Sequence, residues 1–464
     1  MSRRRSVRNS RSAAPPPAPT PHASDNEAVE RLWRLLAAGS ALAFVFFALS
    51  LVRATPLVRN GSLINAPDEF AHVGYVRALA EGHRLPLRDD PVFRTYQWHQ
   101  PPLYYLVAAL ASPLGLQGMR AVSILFAVIS LWAIWSAARV AAPGCYVAHT
   151  LTVMLVALLP MRQAVMSAVG NDSATECVFS LSLCMLLVVS VRGLSALRVV
   201  ALTFLLAAGL LTKASCVLLL PVAFPVLWLA SPRTSVWRRV ARSVLPIAGA
   251  VAVAGPWFVR NARIYGEALP LRAFHAEFAN TSRAGDWIGR PVAVDPVTAE
   301  LRPGPAMDRV GYATLVGAWT SRTFLAAYTP PSRQAIGAPT FLPVPAYALY
   351  ALLALFGLSA SLPAVCHAWR TGDAWRLVIV SQCAVVLLVG ASFVAFTTVY
   401  FQAQGRYLYP ALLPAALLWG IGAARVIPPR HAALATALLL AVLCALSAAF
   451  CFAYVWPAYA SANP

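Results

Sequence analysis

Long apolar runs alternate with short polar turns along almost the whole chain, a pattern typical of a polytopic membrane protein. Runs of about 17 or more apolar residues are long enough to cross a bilayer as a helix. We predict eleven spans, near residues 35–52, 121–140, 146–166, 174–191, 197–213, 215–231, 243–260, 345–366, 377–398, 407–426 and 432–453. The expected fold class is therefore an all-α polytopic membrane protein.

The apolar run at residues 102–116 is shorter and follows Gln100-Pro101-Pro102. If it crossed, Arg139 and the cluster at 233–242 would lie outside, against the bias of arginine toward cytoplasmic turns. We predict that this run is a juxtamembrane or re-entrant helix. The N-terminus is then cytoplasmic, and most acidic residues lie on the outer side.

This topology divides the chain into regions. Residues 1–30 are predicted to form a disordered, Arg- and Pro-rich cytoplasmic tail. Residues 31–453 form the transmembrane domain, with long outer loops at about 53–120 and 261–344, and residues 454–464 form a short outer tail. A twin-arginine signal would need its apolar segment closer behind the arginines, so we interpret the first span as a retained helix.

Composition agrees with a membrane protein, since 59% of the residues are hydrophobic and only 12% are charged. The net charge of +20 suggests nucleic-acid binding. However, the arginines cluster at the ends of apolar runs and not on one face of a soluble domain, so we expect no nucleic-acid partner. The eight cysteines lie in or beside apolar runs, as expected for core residues.

The stretch Asn65-Ala66-Pro67-Asp68-Glu69-Phe70-Ala71-His72 follows the first span. Pro67 suits the first turn of a helix that Gly82 would end. Spacings of three and four residues place Asp68 and Glu69 on the same side as His72. Phe70, Val73, Val76 and Ala80 form an apolar stripe, which predicts a helix lying on the membrane surface.

Three further polar groups stand at the outer ends of spans. Asn171-Asp172-Ser173 is either a helix N-cap or a site carboxylate facing the first outer loop. Lys213 is the only lysine beside 36 arginines, and either binds phosphate or extends to the headgroups. In Gln404-Gly405-Arg406-Tyr407, Arg406 either grips a phosphate or anchors the interface with Tyr407.

Gln100-Pro101-Pro102-Leu103-Tyr104-Tyr105 starts a helix with a rigid proline pair and places two tyrosines at the interface, where tyrosine is enriched. An interfacial anchor is the simplest interpretation of this motif. His99 and His275 are single loop histidines to which we assign no ligand role.

Outward carboxylates and outward cations at headgroup depth suit the transfer of a sugar from a polyprenyl phosphate. Such a transfer needs a base for the acceptor hydroxyl and positive charge for the departing phosphate. Asp68 or Glu69 would be the base, and Lys213 and Arg406 would hold the phosphate. Asp68, Glu69, His72 and Asp172 would also offer ligands to Mg²⁺ or Mn²⁺, although the reaction does not require a metal.

At these residues the chain resembles the GT-C membrane glycosyltransferases, in particular the protein O-mannosyltransferases, the lipid A aminoarabinose transferases and uncharacterised bacterial relatives. The resemblance spans about residues 35–425 and rests on the order of its short motifs: Pro67-Asp68-Glu69 with His72, Gln100 to Tyr105, Asn171-Asp172, Lys213, and Gln404 to Tyr407. It implies a GT-C-like bundle with juxtamembrane helices in the first outer loop.

The resemblance also implies what the site does. Asp68 and Glu69 would match the family's catalytic acidic pair, while His72, Gln100, Tyr104, Asp172, Lys213, Arg406 and Tyr407 would bind substrate. The implied enzyme is an inverting hexosyl or pentosyl transferase of a bacterial-type plasma membrane, with its active site outside. Its partners would be a polyprenyl-phosphate sugar, membrane lipids and an envelope glycan, lipid or protein acceptor.

A lipid-linked glycan binder, a flippase or a ligase for whole glycans would use the same outer pocket. Transporters often contain internal repeats and broken helices with polar residues at mid-membrane. We find no internal repeat, and the polar motifs lie at span ends. The sequence therefore favours transfer over transport.

Overall fold

The computed structural model describes residues 23–59, 61–231, 235–336, 338–371 and 374–460. Most of the tail predicted to be disordered, and the last four residues of the predicted outer tail, lie outside these ranges. The helices are α1 Ala23–Ala54, α2 Glu69–Ala80, α3 Leu103–Leu110, α4 Gly115–Ala141, α5 Tyr146–Ala157, α6 Pro160–Met166, α7 Asp172–Arg192, α8 Ala196–Leu210, α9 Leu219–Ala230, α10 Val236–Tyr265, α11 Leu271–Glu277, α12 Arg309–Leu325, α13 Val344–Thr371, α14 Ala374–Val399, α15 Leu412–Val426, α16 Pro429–Ala448 and α17 Trp456–Ala460.

The protein is an all-α polytopic membrane protein, as predicted. Within the described ranges, eight helices are long and apolar enough to cross a membrane, and nine if α5 and α6 count as one broken span. The remaining two predicted spans are the shorter apolar helices Ala196–Leu210 and Ala214–Ala230. All eleven predicted runs are therefore helical, but they differ in length.

The predicted span 146–166 is not one straight helix, because α5 and α6 meet at an angle of 62°. Leu159 between them has an extended backbone, with ψ of 110°. Proline disfavours helical geometry in the residue before it and suits the first turn of a new helix, which explains the break before Pro160. The bend brings α6 into the interior of the bundle, where all seven of its residues are buried.

Small residues let the spans of the core approach closely, as is common in membrane helix packing. Ala127, Ala133, Ala137 and Ala138 of α4 are fully buried. At Gly422 in α15, a Cβ atom would lie 2.6 Å from the carbonyl carbon of Ala360 in α13. Only glycine permits this contact between the two backbones.

The first long loop, between α1 and α4, contains the two short helices α2 and α3, as predicted. With eight residues, α3 is too short to span a bilayer. The expected membrane-facing stripe of α2 is a wrong prediction, because Val73 and Val76 are buried in a cluster with Tyr75, Tyr104 and other residues. Only Phe70 of that stripe is well exposed, at 40%.

The second long loop, between α10 and α13, is folded. It contains α11, α12 and two antiparallel two-stranded sheets, β1 (Pro291–Val294) with β2 (Leu301–Ala306) and β3 (Ala327–Tyr328) with β4 (Thr340–Phe341). This loop also contacts the first long loop and the last helix: the Tyr459 hydroxyl lies 2.7 Å from the Thr329 carbonyl oxygen and 3.1 Å from Asn65 Oδ1.

Candidate active site

Four charged side chains from four distant parts of the chain meet at one end of the bundle. The Arg406 guanidinium donates from Nη2 to Asp68 Oδ2 at 2.6 Å and from Nη1 to Asp172 Oδ2 at 2.8 Å. Lys213 Nζ donates to Asp172 Oδ1 at 2.5 Å. We call Asp68, Asp172, Lys213 and Arg406 the ionic quartet, whose formal charges cancel.

The ends of helices position the quartet. Asp68 is the residue before α2 and has a left-handed backbone, with φ of 61°, which aspartate tolerates better than most residues. The helix thus begins two residues after Pro67, the predicted start. Asp172 is the first residue of α7. Lys213 precedes the 3-10 turn Ala214–Leu218, and Arg406 lies in the 3-10 turn Gly405–Ala411.

Gly405 explains why the Arg406 motif contains a glycine. A Cβ atom at this position would lie 2.2 Å from Phe324 Cα in α12. The Gly405 N–H also donates to Thr323 Oγ1 at 2.9 Å. Close backbone contact with α12 therefore fixes the turn that aims Arg406 at the carboxylates.

Asp68 is the most accessible member of the quartet. Its side chain is 27% exposed, against 4% for Arg406, 9% for Asp172 and 16% for Lys213. Burial alone would raise the pKa of Asp68, but Arg406 and the hydrogen bond from the Tyr96 hydroxyl hold it below its ordinary value. Asp68 is thus a carboxylate at neutral pH.

Glu69, predicted as the second catalytic acid, lies in a different environment. Arg120 donates from Nε and Nη2 to the two Glu69 oxygens at 2.7 and 2.6 Å, and the Val169 N–H donates to Oε1 at 2.7 Å. The side chains of Glu69 and Arg120 are 3% and 2% exposed. Arg120 and the Val169 N–H thus occupy both carboxylate oxygens of Glu69 and hold the start of α2 against α4.

His72 lies near the quartet but bonds away from it. Its Nδ1 is 2.8 Å from the Tyr105 hydroxyl, and Tyr105 stacks on Tyr75 at 3.8 Å between ring centroids. Burial lowers the pKa of His72 to about 4, so the ring is neutral at physiological pH.

The proposed metal set of Asp68, Glu69, His72 and Asp172 is not assembled. No three potential ligands among histidine, cysteine, aspartate and glutamate converge in the described part of the chain. Asp68 and Asp172 are bridged by Arg406, while Glu69 is paired with Arg120. Because cations already fill the space between the carboxylates, these residues do not fit a metal ion.

A chain of hydrogen bonds between uncharged groups leads to Asp68 of the quartet. Asn171 Nδ2 donates to Gln100 Oε1 at 3.0 Å, and Gln100 Nε2 lies 3.0 Å from His99 Nε2. His99 Nδ1 is 2.9 Å from the Tyr96 carbonyl oxygen, and the Tyr96 hydroxyl donates to Asp68 Oδ1 at 3.0 Å. Asn171 stands at the N-cap of α7 without capping it, which leaves its amide free for this chain.

The two predicted tyrosines take different places. Tyr104 is buried, 2.8 Å from Ser123 Oγ, and accepts from the Gly170 N–H at 2.9 Å, so it supports the loop before Asp172. The Tyr407 ring lies 5.0 Å from the Arg406 guanidinium carbon and 5.8 Å from Lys213 Nζ. Tyr407 therefore lies beside the two cations of the quartet, whereas Tyr104 contacts the backbone that precedes Asp172.

Sequence reasoning missed a second buried ion pair one helical turn below Asp172. Arg162 of α6 donates to Glu176 of α7 at 2.6 Å and lies 4.7 Å from the centre of the Phe44 ring. The two charged side chains are 0% and 1% exposed. Both residues lie within apolar runs, and a charged residue inside a span usually has a partner of opposite charge in the bundle. The sequence thus contained a signal for this pair.

No protein-family model matches the chain, and no curated protein is significantly similar to it. Its fold is similar to that of ArnT from Cupriavidus metallidurans bound to undecaprenyl phosphate, with a TM-score of 0.52 and 16% identity over 92% of this chain and 74% of ArnT. The apo form of ArnT gives 0.51 and 16% identity over 92% of this chain and 73% of ArnT.

An oligosaccharyltransferase from Archaeoglobus fulgidus gives a TM-score of 0.49 and 14% identity over 91% of this chain, which spans 55% of that protein. The likeness to ArnT shows that the chain has a GT-C fold, and the fold prediction is confirmed.

Proposed function

We propose that the protein is a membrane glycosyltransferase that moves a sugar from a polyprenyl phosphate to an acceptor hydroxyl on the outer face of a bacterial-type plasma membrane. The observation that carries this proposal is the ionic quartet. It combines an accessible carboxylate with two cations at one end of the bundle. The ArnT-like fold supports the same class of reaction.

The cations of the quartet retain hydrogen-bond donors for a phosphate. A guanidinium has five N–H donors, and the three short bonds from Arg406 go to Asp68, Asp172 and Gln404. An ammonium group has three, and Lys213 uses one for Asp172. The remaining N–H groups of Arg406 and Lys213 would donate hydrogen bonds to the oxygens of a phosphodiester, and the quartet would stay intact.

In the reaction we propose, the acceptor oxygen attacks the anomeric carbon and its proton passes to Asp68. The bond between that carbon and the phosphate oxygen breaks, and its electron pair leaves with the polyprenyl phosphate. Arg406 and Lys213 stabilise the charge that develops on this leaving group. A single displacement of this kind inverts the anomeric carbon.

Donor binding would also make Asp68 a better base. In the free protein Arg406 holds the pKa of Asp68 low, which makes the carboxylate a weak proton acceptor. A phosphate anion beside Arg406 would offset part of that positive charge and raise the pKa of Asp68. Proton transfer would then be favoured only when the donor is present.

The test is Asp68→Asn in nanodiscs supplied with a panel of labelled polyprenyl-phosphate hexoses and pentoses and cell-envelope acceptors. Loss of the general base should lower transfer by about 10²- to 10⁴-fold. Binding of polyprenyl phosphate should tighten, because a negative charge beside Arg406 disappears. Glu81→Gln at the other end of α2, where the Glu81 side chain is 63% exposed, is the control and should change neither quantity.

Transfer by Asp68→Asn at the wild-type rate would contradict the proposal. It would instead favour a lipid-linked glycan binder, a flippase or a ligase with a different mechanism.

A further inference from the structure

A cavity of about 160 Å³ lies between Asp68 and the segment that follows α1. Asp68 is the only member of the ionic quartet among its lining residues, which also include Arg59, Ser62, Phe70 and Tyr96. Glu69 lines the cavity too, but its charge is paired with Arg120. The two Asp68 oxygens divide accordingly: Oδ2 faces Arg406, while Oδ1 accepts from Tyr96. Asp68 thus connects the quartet with a separate space.

Arg59 gives this cavity an unpaired positive charge. In the described ranges, no carboxylate lies within ion-pair distance of Arg59, and among the residues that line the cavity it is the only cation. Arg59 and Phe70 are both exposed, so the cavity reaches the surface. A guanidinium, a hydroxyl and an aromatic ring around a small space are typical of a site for a polar ligand.

The wall that carries Arg59 and Ser62 is anchored at its far end. A backbone bridge joins Leu63 to Ala66, and the Ile64 N–H donates to Thr329 Oγ1 at 2.9 Å. Asn65 Oδ1 accepts from the Thr329 N–H at 3.2 Å and from the Tyr459 hydroxyl at 3.1 Å. These contacts preorganise the cavity, which reduces the entropy that ligand binding would lose.

We propose that this cavity receives the acceptor, and that the acceptor is a sugar or polyol hydroxyl beside an anionic group, a phosphate or a carboxylate, that pairs with Arg59. This inference rests on the proposed function and adds the acceptor class. The acceptor O–H gives its proton to Asp68 from the cavity side as its oxygen bonds the anomeric carbon. The phosphate departs on the Arg406 side with the electron pair of the broken bond.

The experiment uses the full chain in nanodiscs with the labelled polyprenyl-phosphate sugar that the wild type consumes. Envelope carbohydrate is separated by anion exchange into neutral and anionic fractions, and part of the anionic fraction is treated with phosphatase. We expect transfer to the anionic fraction. Loss of transfer after phosphatase treatment identifies a phosphate acceptor, and retention identifies a carboxylate.

Arg59→Gln should raise the acceptor KM about tenfold or more, since a hydrogen-bonded ion pair is lost, and Arg59→Lys should restore part of the difference. Arg263→Gln is the control, because Arg263 is an exposed arginine of the outer side that does not line the cavity. The Kd for polyprenyl phosphate, measured on the same samples, shows whether donor binding at Arg406 is intact, and it should not change in Arg59→Gln.

Equal use of neutral acceptors by the wild type, transfer to protein alone, or an unchanged acceptor KM in Arg59→Gln would each overturn the acceptor site while leaving the proposed function intact. A wild-type chain that neither binds polyprenyl phosphate nor consumes its sugar overturns both.

Discussion

Glu69 and Arg120 form a buried two-point ion pair, with both carboxylate oxygens within 2.7 Å of the guanidinium. Arg120 also donates to the carbonyl oxygens of Val52 and Thr55, at 2.8 and 2.9 Å. This pair fastens the start of α2 to α4 and to the end of α1. The neighbouring acids Asp68 and Glu69 therefore have different ion-pair partners, and of the two only Asp68 belongs to the quartet.

Glu69→Gln should destabilise the protein by about 3 kcal/mol, because it leaves the Arg120 guanidinium buried without its counter-charge. The measurement is the midpoint of thermal unfolding in detergent, with exposed Glu81→Gln as the matched control. Sugar transfer per folded molecule should fall far less than in Asp68→Asn. If Glu69→Gln keeps the wild-type stability but loses all transfer, Glu69 takes part in the reaction itself.

Arg406→Lys should lower transfer more than tenfold although the charge is kept. A lysine donates from a single point and cannot bridge Asp68 and Asp172 as the two guanidinium nitrogens do. Initial rates with the labelled donor, together with the Kd for polyprenyl phosphate, measure the effect. Arg425→Lys at the opposite end of the adjoining helix α15 is the control, and a similar loss there would show that the effect is not specific to the quartet.

The pH dependence of transfer tests the state of Asp68. The pKa of Asp68 lies below its ordinary value, so the ion pair with Arg406 contributes its full stabilisation at any pH above the ordinary aspartate pKa. This stabilisation is lost as the pH falls through the lowered pKa and the carboxylate takes up a proton. Tyr96→Phe removes a hydrogen bond to the carboxylate and should raise this pKa. The acidic limb of kcat/KM should therefore move to higher pH.

His72 should contribute no limb between pH 5 and 8, since its pKa is about 4. If the acidic limb stays in place in Tyr96→Phe, Asp68 is not the titrating group. A limb near the ordinary histidine value of about 6.5 would point to His72 instead.

Glu176→Gln should lower stability by about 3 to 5 kcal/mol, because Arg162 would remain buried in the bundle with its charge unpaired. Replacing both residues with apolar side chains of similar volume, as in Arg162→Met with Glu176→Leu, should recover part of that loss. The midpoints of thermal unfolding of the single and double variants measure this loss and recovery of stability. A double variant no more stable than Glu176→Gln would mean that the ion pair itself is required.

Hydropathy predicted where the helices lie and which polar residues stand at their ends, and Asp68, Asp172, Lys213 and Arg406 do meet. It could not show that Glu69 turns toward Arg120, because a spacing argument places side chains on a helix face without knowing which neighbour packs there. It also overlooked Pro160, whose effect on the residue before it breaks a run that is uniformly apolar.

The burial of α2 escaped prediction for a related reason. Val73 and Val76 satisfy an amphipathic pattern whether the helix lies on lipid or on protein, and only α3 with its tyrosines decides the matter. Tyr96 and His99 lie in a polar stretch without periodicity. Their part in the site depends on Asn171 and Gln100, which only the folded chain brings together.

The contact between Asp68 and Arg406 joins residues 338 positions apart. During synthesis, Asp68 and Asp172 enter the membrane long before the ribosome has made Arg406. Until then Lys213 is the only quartet cation available, so the two carboxylates of the quartet are balanced by a single positive charge. The late helices therefore supply the one side chain that joins the two carboxylates, while the other three members of the quartet come from the first half of the chain.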